Sequence, residues 1–388
     1  MTIMHPFFST HRKIGILGGG QLGKMLALAA APWDLHLKIL DPSADAPARH
    51  FVKEFQVGDF RDYDTVLQFG SDCEVLTIEI EDVNTDALCA LQQQGKKIFP
   101  QPEIIEIFQD KTLQKKFYSE NHFPTSPYLT FGDKQQLLEY LTSDNGTFPK
   151  VWKAARGGFD GRGVAKLRSL ADTAGLQDSA CILEEHVDIW AETAVIVHRN
   201  AQGQVVSQPM VQMEFHPEAH FVELVFAPSV LDHSTELKCM DIATRLVEKL
   251  NLVGTLAVEF FITPNREILI NEAAPRVHNS GHLTIEAVAS SQFEQHIRAI
   301  TGLHPGANHL LFHAAMLNLT GHPKYEGSVL YEGAERILSM PMVFMHLYGK
   351  PRTKPYRKMG HITAIGDDVH LLIAKIKSIK DLINVISY

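Results

Sequence analysis

Leu256-Ala257-Val258-Glu259-Phe260-Phe261-Ile262, then Thr263-Pro264-Asn265-Arg266, then Glu267-Ile268-Leu269-Ile270-Asn271-Glu272 follow one another without a break. The outer runs have the apolar character of strands, and Pro264-Asn265 is a turn signal between them. Each strand carries a glutamate, Glu259 in one and Glu272 in the other. A loop from Thr263 to Arg266 sets Ile262 opposite Glu267 and Ala257 opposite Glu272. Side chains alternate along a strand, so Glu272 shares a face with Ala257 and Glu259. It is then the diagonal neighbour of Glu259, about 7–8 Å away. Two unpaired carboxylates on a half-buried apolar sheet repel each other and are poorly solvated. A divalent cation resolves that conflict. Mg²⁺ suits it best, because it takes one or two carboxylates together with nucleotide phosphates; Mn²⁺ is a possible substitute. The competing reading leaves both acids in solvent, where most glutamates are found.

Downstream, Ala273-Ala274-Pro275-Arg276-Val277-His278-Asn279-Ser280-Gly281-His282 is polar and rich in turn residues. Arg276 is a planar fork suited to a small carboxylate or bicarbonate. His278, Asn279 and Ser280 add donors. The plain alternative is a surface loop with a helix N-cap at Ser280 or Thr284. Upstream, Lys153-Ala154-Ala155-Arg156-Gly157-Gly158-Phe159-Asp160-Gly161-Arg162-Gly163 places four glycines in seven residues. Glycines free backbone N–H groups to face an anion and let it approach closely. Lys153, at the end of a predicted strand, reaches a phosphate as a point charge, and Arg162 adds a second cation. This is a phosphate-covering flap rather than a plain Asp160-Gly161 hairpin, and no G-x-x-x-x-G-K-[ST] occurs in the chain.

The first hundred residues alternate strand and helix signals: a strand at Lys13 to Leu17, a helix from Gln21 to about Ala31, and strands at Leu35 to Leu40 and Val75 to Ile80. This is α/β architecture with a parallel sheet. Gly18-Gly19-Gly20-Gln21-Leu22-Gly23 matches the dinucleotide fingerprint, with Asp41 where a ribose-binding acid would stand. A lone match is weak, and a structural or substrate-binding turn is the better reading. Asp110 reads as an N-cap, with Leu113 and Phe117 on one face of the helix that follows. Further helices are expected over Glu236 to Leu250 and Ile285 to Leu303, and the residues from Gly306 form a small mixed unit.

The 388 residues carry 36 Lys and Arg against 45 Asp and Glu, a net charge of −9 that disfavours nucleic acid as a partner. No apolar run approaches the roughly 20 residues of a membrane helix, and no charged-then-apolar leader is present. The four cysteines form no Cys-x-x-Cys, which disfavours zinc and disulfides and fits a cytoplasmic protein.

The flap, the two glutamates and Pro275-Arg276-Val277-His278-Asn279-Ser280-Gly281 together resemble the ATP-grasp superfamily. Within it the chain is similar to the 5-(carboxyamino)imidazole ribonucleotide synthase family of purine biosynthesis, over nearly its whole length, as far as Arg357-Lys358-Met359-Gly360-His361. The resemblance implies an ATP-grasp fold in three parts: a Rossmann-like pre-ATP-grasp sheet domain (1–102), an ATP-grasp domain (103–305) and a small C-terminal mixed domain (306–388). It implies ATP-dependent carboxylation of 5-aminoimidazole ribonucleotide by bicarbonate through carboxyphosphate, in a homodimer. Lys111, Lys153 and Asn271 would contact ATP under the flap Gly157 to Gly163. Glu184, Glu185, His186 and Val187 would form the hinge beside adenine, and Glu192 would hold the ribose. Glu259 and Glu272 would bind magnesium. Arg276, His278, Asn279 and Ser280 would hold bicarbonate and carboxyphosphate, and Asp160 would orient or deprotonate the substrate amine. Lys350, Arg352, Lys354, Arg357 and Lys358 are five cations in nine residues. Among them Lys350, Arg357 and Lys358 would clamp the ribonucleotide 5′-phosphate, with Gln21 and either Glu79 or Glu81 nearby.

The chain departs from the family pattern at Phe159, usually Tyr, at Ala155, usually Arg, and over Gln212 to His220, which lacks the usual Asn-x-His spacing. The rivals are another ATP-grasp ligase, such as a formate-using glycinamide ribonucleotide transformylase or a biotin carboxylase-like unit, an NAD-dependent oxidoreductase resting on Gly18 to Gly23, and a catalytically inactive regulatory binder.

Overall fold

Lys13–Leu17 (β1) is buried at four of its five positions, as a strand covered on both faces should be. In this computed structural model, which describes residues 12–143, 147–157, 163–217, 219 and 221–388, β1 is the middle of a parallel sheet. Its partners are β2 (His36–Asp41), β3 (Glu54–Val57), β4 (Val75–Ile78) and β5 (Lys97–Ile98), in the order β3-β2-β1-β4-β5. The crossovers include α1 (Gln21–Ala30), α2 (Tyr63–Gly70) and α3 (Thr85–Gln93), the last two capped by the side chains of Asp62 and Asn84. α4 (Pro102–Gln109) leads to α5 (Lys111–Glu120), whose N-cap is Asp110 as expected. The buried face of α5 differs from a simple apolar stripe. Gln114, Lys115 and Tyr118 are inside, while Leu113 is exposed.

A four-stranded antiparallel sheet follows: β6 (Tyr128–Phe131), β7 (Lys150–Ala154), β8 (Val164–Leu167) and β9 (Cys181–Glu185), with α6 (Lys134–Thr142) packed on Trp152, Leu167 and Leu183. Among the described residues the largest sheet has nine strands. It contains β10 (Ala191–Arg199), β11 (Val205–Ser207), β12 (Val211–Phe215), β13 (Val222–Ala227), β14 (Gly254–Ile262), β15 (Ile268–Ala274) and β16 (His313–Thr320). Beyond β17 (Gly327–Glu332), it is completed by β18 (Val343–Leu347) and, past β19 (Arg352–Thr353), by β20 (Lys358–Gly366). β17 pairs instead with β19 on one side and with β21 (Asn384–Ser387) on the other. One continuous sheet therefore runs from the magnesium-binding candidates on β14 and β15 to the C-terminal strands. α7 (His233–Lys249) buries Cys239, Ile242, Ala243, Leu246 and Val247 against Val195, Val197, Leu256 and Val258. α10 (Ala334–Leu338) and α11 (Val369–Lys380) belong to the C-terminal part, where α11 packs Leu372, Ile376 and Ile379 on Leu317, Leu319 and Ile362.

Two expectations are corrected. The ladder of β14 and β15 begins at Ile262 with Ile268, so five residues connect the strands, with Arg266 at φ 64°. Continued unbroken, that register would oppose Glu259 to Asn271 and turn Glu272 to the far face. A β-bulge beside Glu259 absorbs the extra residue, and Glu259 pairs with Glu272 directly rather than diagonally. The shared face survives for a different reason than a four-residue loop. The helix expected over Ile285 to Leu303 is also broken, into α8 (Thr284–Ala287) and α9 (Gln292–Thr301). Val288 is extended and bridges Leu310, and the Ser291 side chain accepts from Glu294 N to start a new helix.

Candidate active site

Of the facing acids Glu259 is only 8% exposed, whereas the Glu272 side chain is half-exposed. Glu192 joins their face, being two residues along β10 from Ala194, the partner of Glu259. Burial lifts Glu192 to about 7. Burial and the charge of Glu272 push Glu259 well above the usual carboxylate range. Glu272 moves the other way, because Lys111 Nζ lies 2.9 Å from its Oε2. A cation between Glu259 and Glu272 would displace the retained proton and relieve the repulsion, so this donor set fits Mg²⁺ shared with phosphate oxygens.

Behind the acids lies a group of buried charges. Lys153 Nζ is 2.8 Å from Glu184 Oε2 and 3.0 Å from Asn271 Oδ1. The bulge that re-aims Glu272 thus also brings Asn271 to Lys153. Glu184 bridges onward to Lys115, whose ammonium donates to Thr125 Oγ1 at 2.6 Å and Ser126 Oγ at 3.0 Å. The Glu184 side chain is therefore an internal counter-ion to both lysines. Glu185 pairs with Lys150, His186 lies beside Lys166, and Val187 follows in the connection to β10. Lys115 was not anticipated. The available signal was its spacing four residues after Lys111, which places both on one side of a helix. Gly157 and Gly163 have φ of 77° and 71°, the left-handed conformation that favours glycine. Gly158, Phe159, Asp160, Gly161 and Arg162 lie outside the described residues. Arg156 pairs with Asp110 at 3.0 Å, tying the base of the glycine-rich segment to the cap of α5.

A cleft of about 540 Å³ gathers Glu81, Lys111, Gly157, Glu259, Glu272, Arg276, His278, Asn279 and Lys358, while Lys153, Glu184, Glu192 and Asn271 lie outside its lining. Arg276 Nε is 2.8 Å from Glu81 Oε1. His278 Nε2 stands 3.7 Å from Glu259 Oε1, and its Nδ1 is 3.0 Å from Ser280 Oγ. Ser280 is fully buried, so its hydroxyl orients His278 and does not face the cleft, contrary to expectation.

Gln21, Glu79, Lys350 and Arg357 are not part of this lining. The Glu79 carboxylate accepts from Gly20 N at 2.6 Å and Gly23 N at 2.5 Å, and Asp41 accepts from Gly19 N at 2.7 Å. A Cβ on Gly18 or Gly20 would meet Glu79 at 2.3 or 2.6 Å. The glycines make room for an internal carboxylate, which occupies the donors a dinucleotide pyrophosphate would need. Glu79 and Glu81 do not share a role. β4 stops at Ile78, strand alternation does not continue through them, and Glu81 alone of the two reaches the cleft. In the basic run, Lys350 Nζ donates to Lys358 O at 2.7 Å and Arg357 to Arg352 O at 2.8 Å. Lys358 is its one member in the cleft lining.

Residues 11–109 match the ribonucleotide synthetase preATP-grasp domain, residues 116–293 the ATP-grasp domain, and residues 314–375 the phosphoribosylaminoimidazole carboxylase C-terminal domain. The N5-carboxyaminoimidazole ribonucleotide synthase of Bacillus subtilis (strain 168) is 35% identical over 355 residues, 90% of this chain and 90% of that protein. The chain belongs to the N5-carboxyaminoimidazole ribonucleotide synthase family. The crystal structure of the N5-carboxyaminoimidazole ribonucleotide synthetase from Thermotoga maritima matches with a TM-score of 0.89 and 38% identity, over 97% of this chain and 100% of that one. That of the Aspergillus clavatus synthase, in complex with ADP and 5-aminoimidazole ribonucleotide, matches with a TM-score of 0.86 and 30% identity, over 97% and 99%. As a member of this synthase family the chain is an ATP-dependent ligase with the ATP-grasp fold expected from its sequence. The oxidoreductase alternative is discarded, since Glu79 fills the turn that suggested it.

Proposed function

We propose that the chain joins bicarbonate to the exocyclic amine of 5-aminoimidazole ribonucleotide at the expense of ATP, giving 5-(carboxyamino)imidazole ribonucleotide in purine biosynthesis. The observation that carries this reading is the convergence, in one cleft, of the facing Glu259 and Glu272 with Lys111, Arg276, His278 and Asn279.

Bicarbonate is a poor electrophile. Transfer of the γ-phosphoryl group to one of its oxygens releases ADP and gives carboxyphosphate, in which phosphate is the leaving group. The protein contributes mainly position and charge. Lys111 and Lys153 hold the nucleotide phosphates, with Glu192 at the ribose and the strand end from Glu184 to Val187 beside the base. Glu259 and Glu272 hold Mg²⁺ or Mn²⁺, which when bound neutralises phosphate charge. Arg276, His278 and Asn279 receive the bicarbonate, and Glu81 keeps Arg276 oriented. The amine attacks the activated carbonyl carbon, or CO₂ released from it, and loses a proton to a base for which Asp160 is the candidate. Carboxyphosphate hydrolyses in water, so a glycine-hinged cover from Gly157 to Gly163 suits the task. Lys358, supported by Lys350 and Arg357, binds the 5′-phosphate. Division at 102/103 and 305/306 and a cytoplasmic homodimer belong to the same reading, and the matched family segments, 11–109, 116–293 and 314–375, follow its three-part order. Among the described residues no helix is long and apolar enough to cross a membrane.

The test is ADP formation with 5-aminoimidazole ribonucleotide and bicarbonate supplied together, singly or not at all. Full turnover is expected only with both. Turnover supported equally by formate and a different amine would transfer the chain to another branch of the superfamily.

A further inference from the structure

Asn279 and Asn318 stand 39 residues apart in sequence, yet their amides form a closed pair. Nδ2 of Asn279 donates to Oδ1 of Asn318 at 2.8 Å, and Nδ2 of Asn318 donates to Oδ1 of Asn279 at 2.8 Å. Both side chains are buried, Asn279 in the turn after β15 and Asn318 on β16. Such a pair alone does not determine which end of each amide is nitrogen, because turning both over preserves both bonds. The backbone breaks the tie. Asn318 Nδ2 also donates to the carbonyl of Val222 at 2.8 Å, and a carbonyl accepts only from a donor. Asn318 is thereby held one way round. Asn279 must follow, since the reverse would set oxygen against oxygen and N–H against N–H.

Each primary amide carries two N–H groups. Asn318 uses both, one on Val222 and one on Asn279. Among the described residues the pair uses one from Asn279, and Asn279 lines the cleft together with Arg276. We infer that Asn318 is a positioning residue: the C-terminal strand β16 sets the Asn279 amide so that it offers the cleft a donor, selecting an oxyanion of the bicarbonate or carboxyphosphate class. This rests on the function proposed above, and it assigns a part in bicarbonate capture to a strand that the predicted site did not include.

The experiment is a double-mutant cycle of Asn318→Ala and Asn279→Ala, with KM and kcat measured separately for bicarbonate, ATP and the ribonucleotide. Asn318→Ala is expected to lower kcat/KM for bicarbonate about 10-fold, the scale of one oriented hydrogen bond to a charged group, with KM for ATP within about twofold. In the Asn279→Ala background it should add little, because the group it orients is already gone. Fully additive losses, or a KM for ATP that rises in step, would overturn the assignment. Should thermal melting show Asn318→Ala unfolded, the isosteric Asn318→Asp serves instead. It cannot donate to Val222, and a folded Asn318→Asp enzyme with normal bicarbonate kinetics refutes the role. Wild-type turnover indifferent to bicarbonate would reject the proposed function, an outcome separate from either result of the cycle.

Discussion

Glu272 shows how one side chain carries several constraints. It opposes Glu259, draws Lys111 to 2.9 Å and closes the floor of the cleft. Glu272→Gln keeps the shape and an acceptor for Lys111 but removes the charge. We expect it to fold and to lose turnover by about 10²-fold or more, on the scale of deleting a preorganised electrostatic contact. Near-normal ADP release from a well-folded variant would reject its place in the site. Glu79 is a contrasting case. Its carboxylate is committed to Gly20 N and Gly23 N, so Glu79→Ala leaves two inward-facing donors unsatisfied. A loss of about 2 kcal/mol in denaturant-unfolding stability is expected, together with no NAD binding by calorimetry in the wild-type protein. Lys358 belongs to the substrate side, and Lys358→Met should raise KM for the ribonucleotide about 10-fold more than KM for ATP. Equal changes in both would count against a phosphate clamp.

At the scale of elements, the readable features were those written in local patterns. Asp110 as the cap of α5, the glycine turn before α1 and the two acidic strands are all found where the residues indicate. The failures are also physical. A β-bulge depends on which partner strand is present, and no residue type in Asn271-Glu272 announces it. The break between α8 and α9 was more legible, because Ser290-Ser291 offers a cap inside an otherwise helical pattern. Ser291→Ala should cost about 1 kcal/mol, seen as a melting shift of a few degrees with catalysis unchanged. A shift no larger than that of an exposed control substitution would show that packing alone starts α9.

Across the whole molecule, buried histidines join the parts. Thr77 Oγ1 meets His296 Nε2 at 2.8 Å, and Thr255 Oγ1 meets His296 Nδ1 at 3.0 Å and His198 Nδ1 at 2.8 Å. This chain passes from the parallel sheet through α9 into β14 and β10. A second group sets His282 at a tilt against His361 and stacks His361 on His346, at 4.8 and 4.5 Å between centroids, linking the turn after β15 to β20 and β18. Burial holds His198 at about 3 and His296 at about 4, with His282 and His361 well below their ordinary value. Unfolded histidine titrates near 6.5, so between about pH 6.5 and 4 each of these imidazoles takes up a proton on unfolding, whereas Glu192 and Glu259, raised in the fold, release theirs until the unfolded carboxylates protonate as well. Stability should therefore fall in the acid part of that window, from about pH 5 to 4, measurable as a declining melting temperature with proton uptake on unfolding. A flat profile there would show these imidazoles already protonated in the fold. By itself the amino-acid sequence determined the architecture, the two metal-binding candidates and the family, because each is written in residue type and short spacing. Only the tertiary structure decided the partners: Glu79 in the glycine turn, Lys115 beneath Glu184, Ser280 behind His278 and Asn318 against Asn279. All but the local Ser280–His278 contact join residues that meet only after the sheets have assembled, and burial, which no local pattern records, is what gives each contact its consequence.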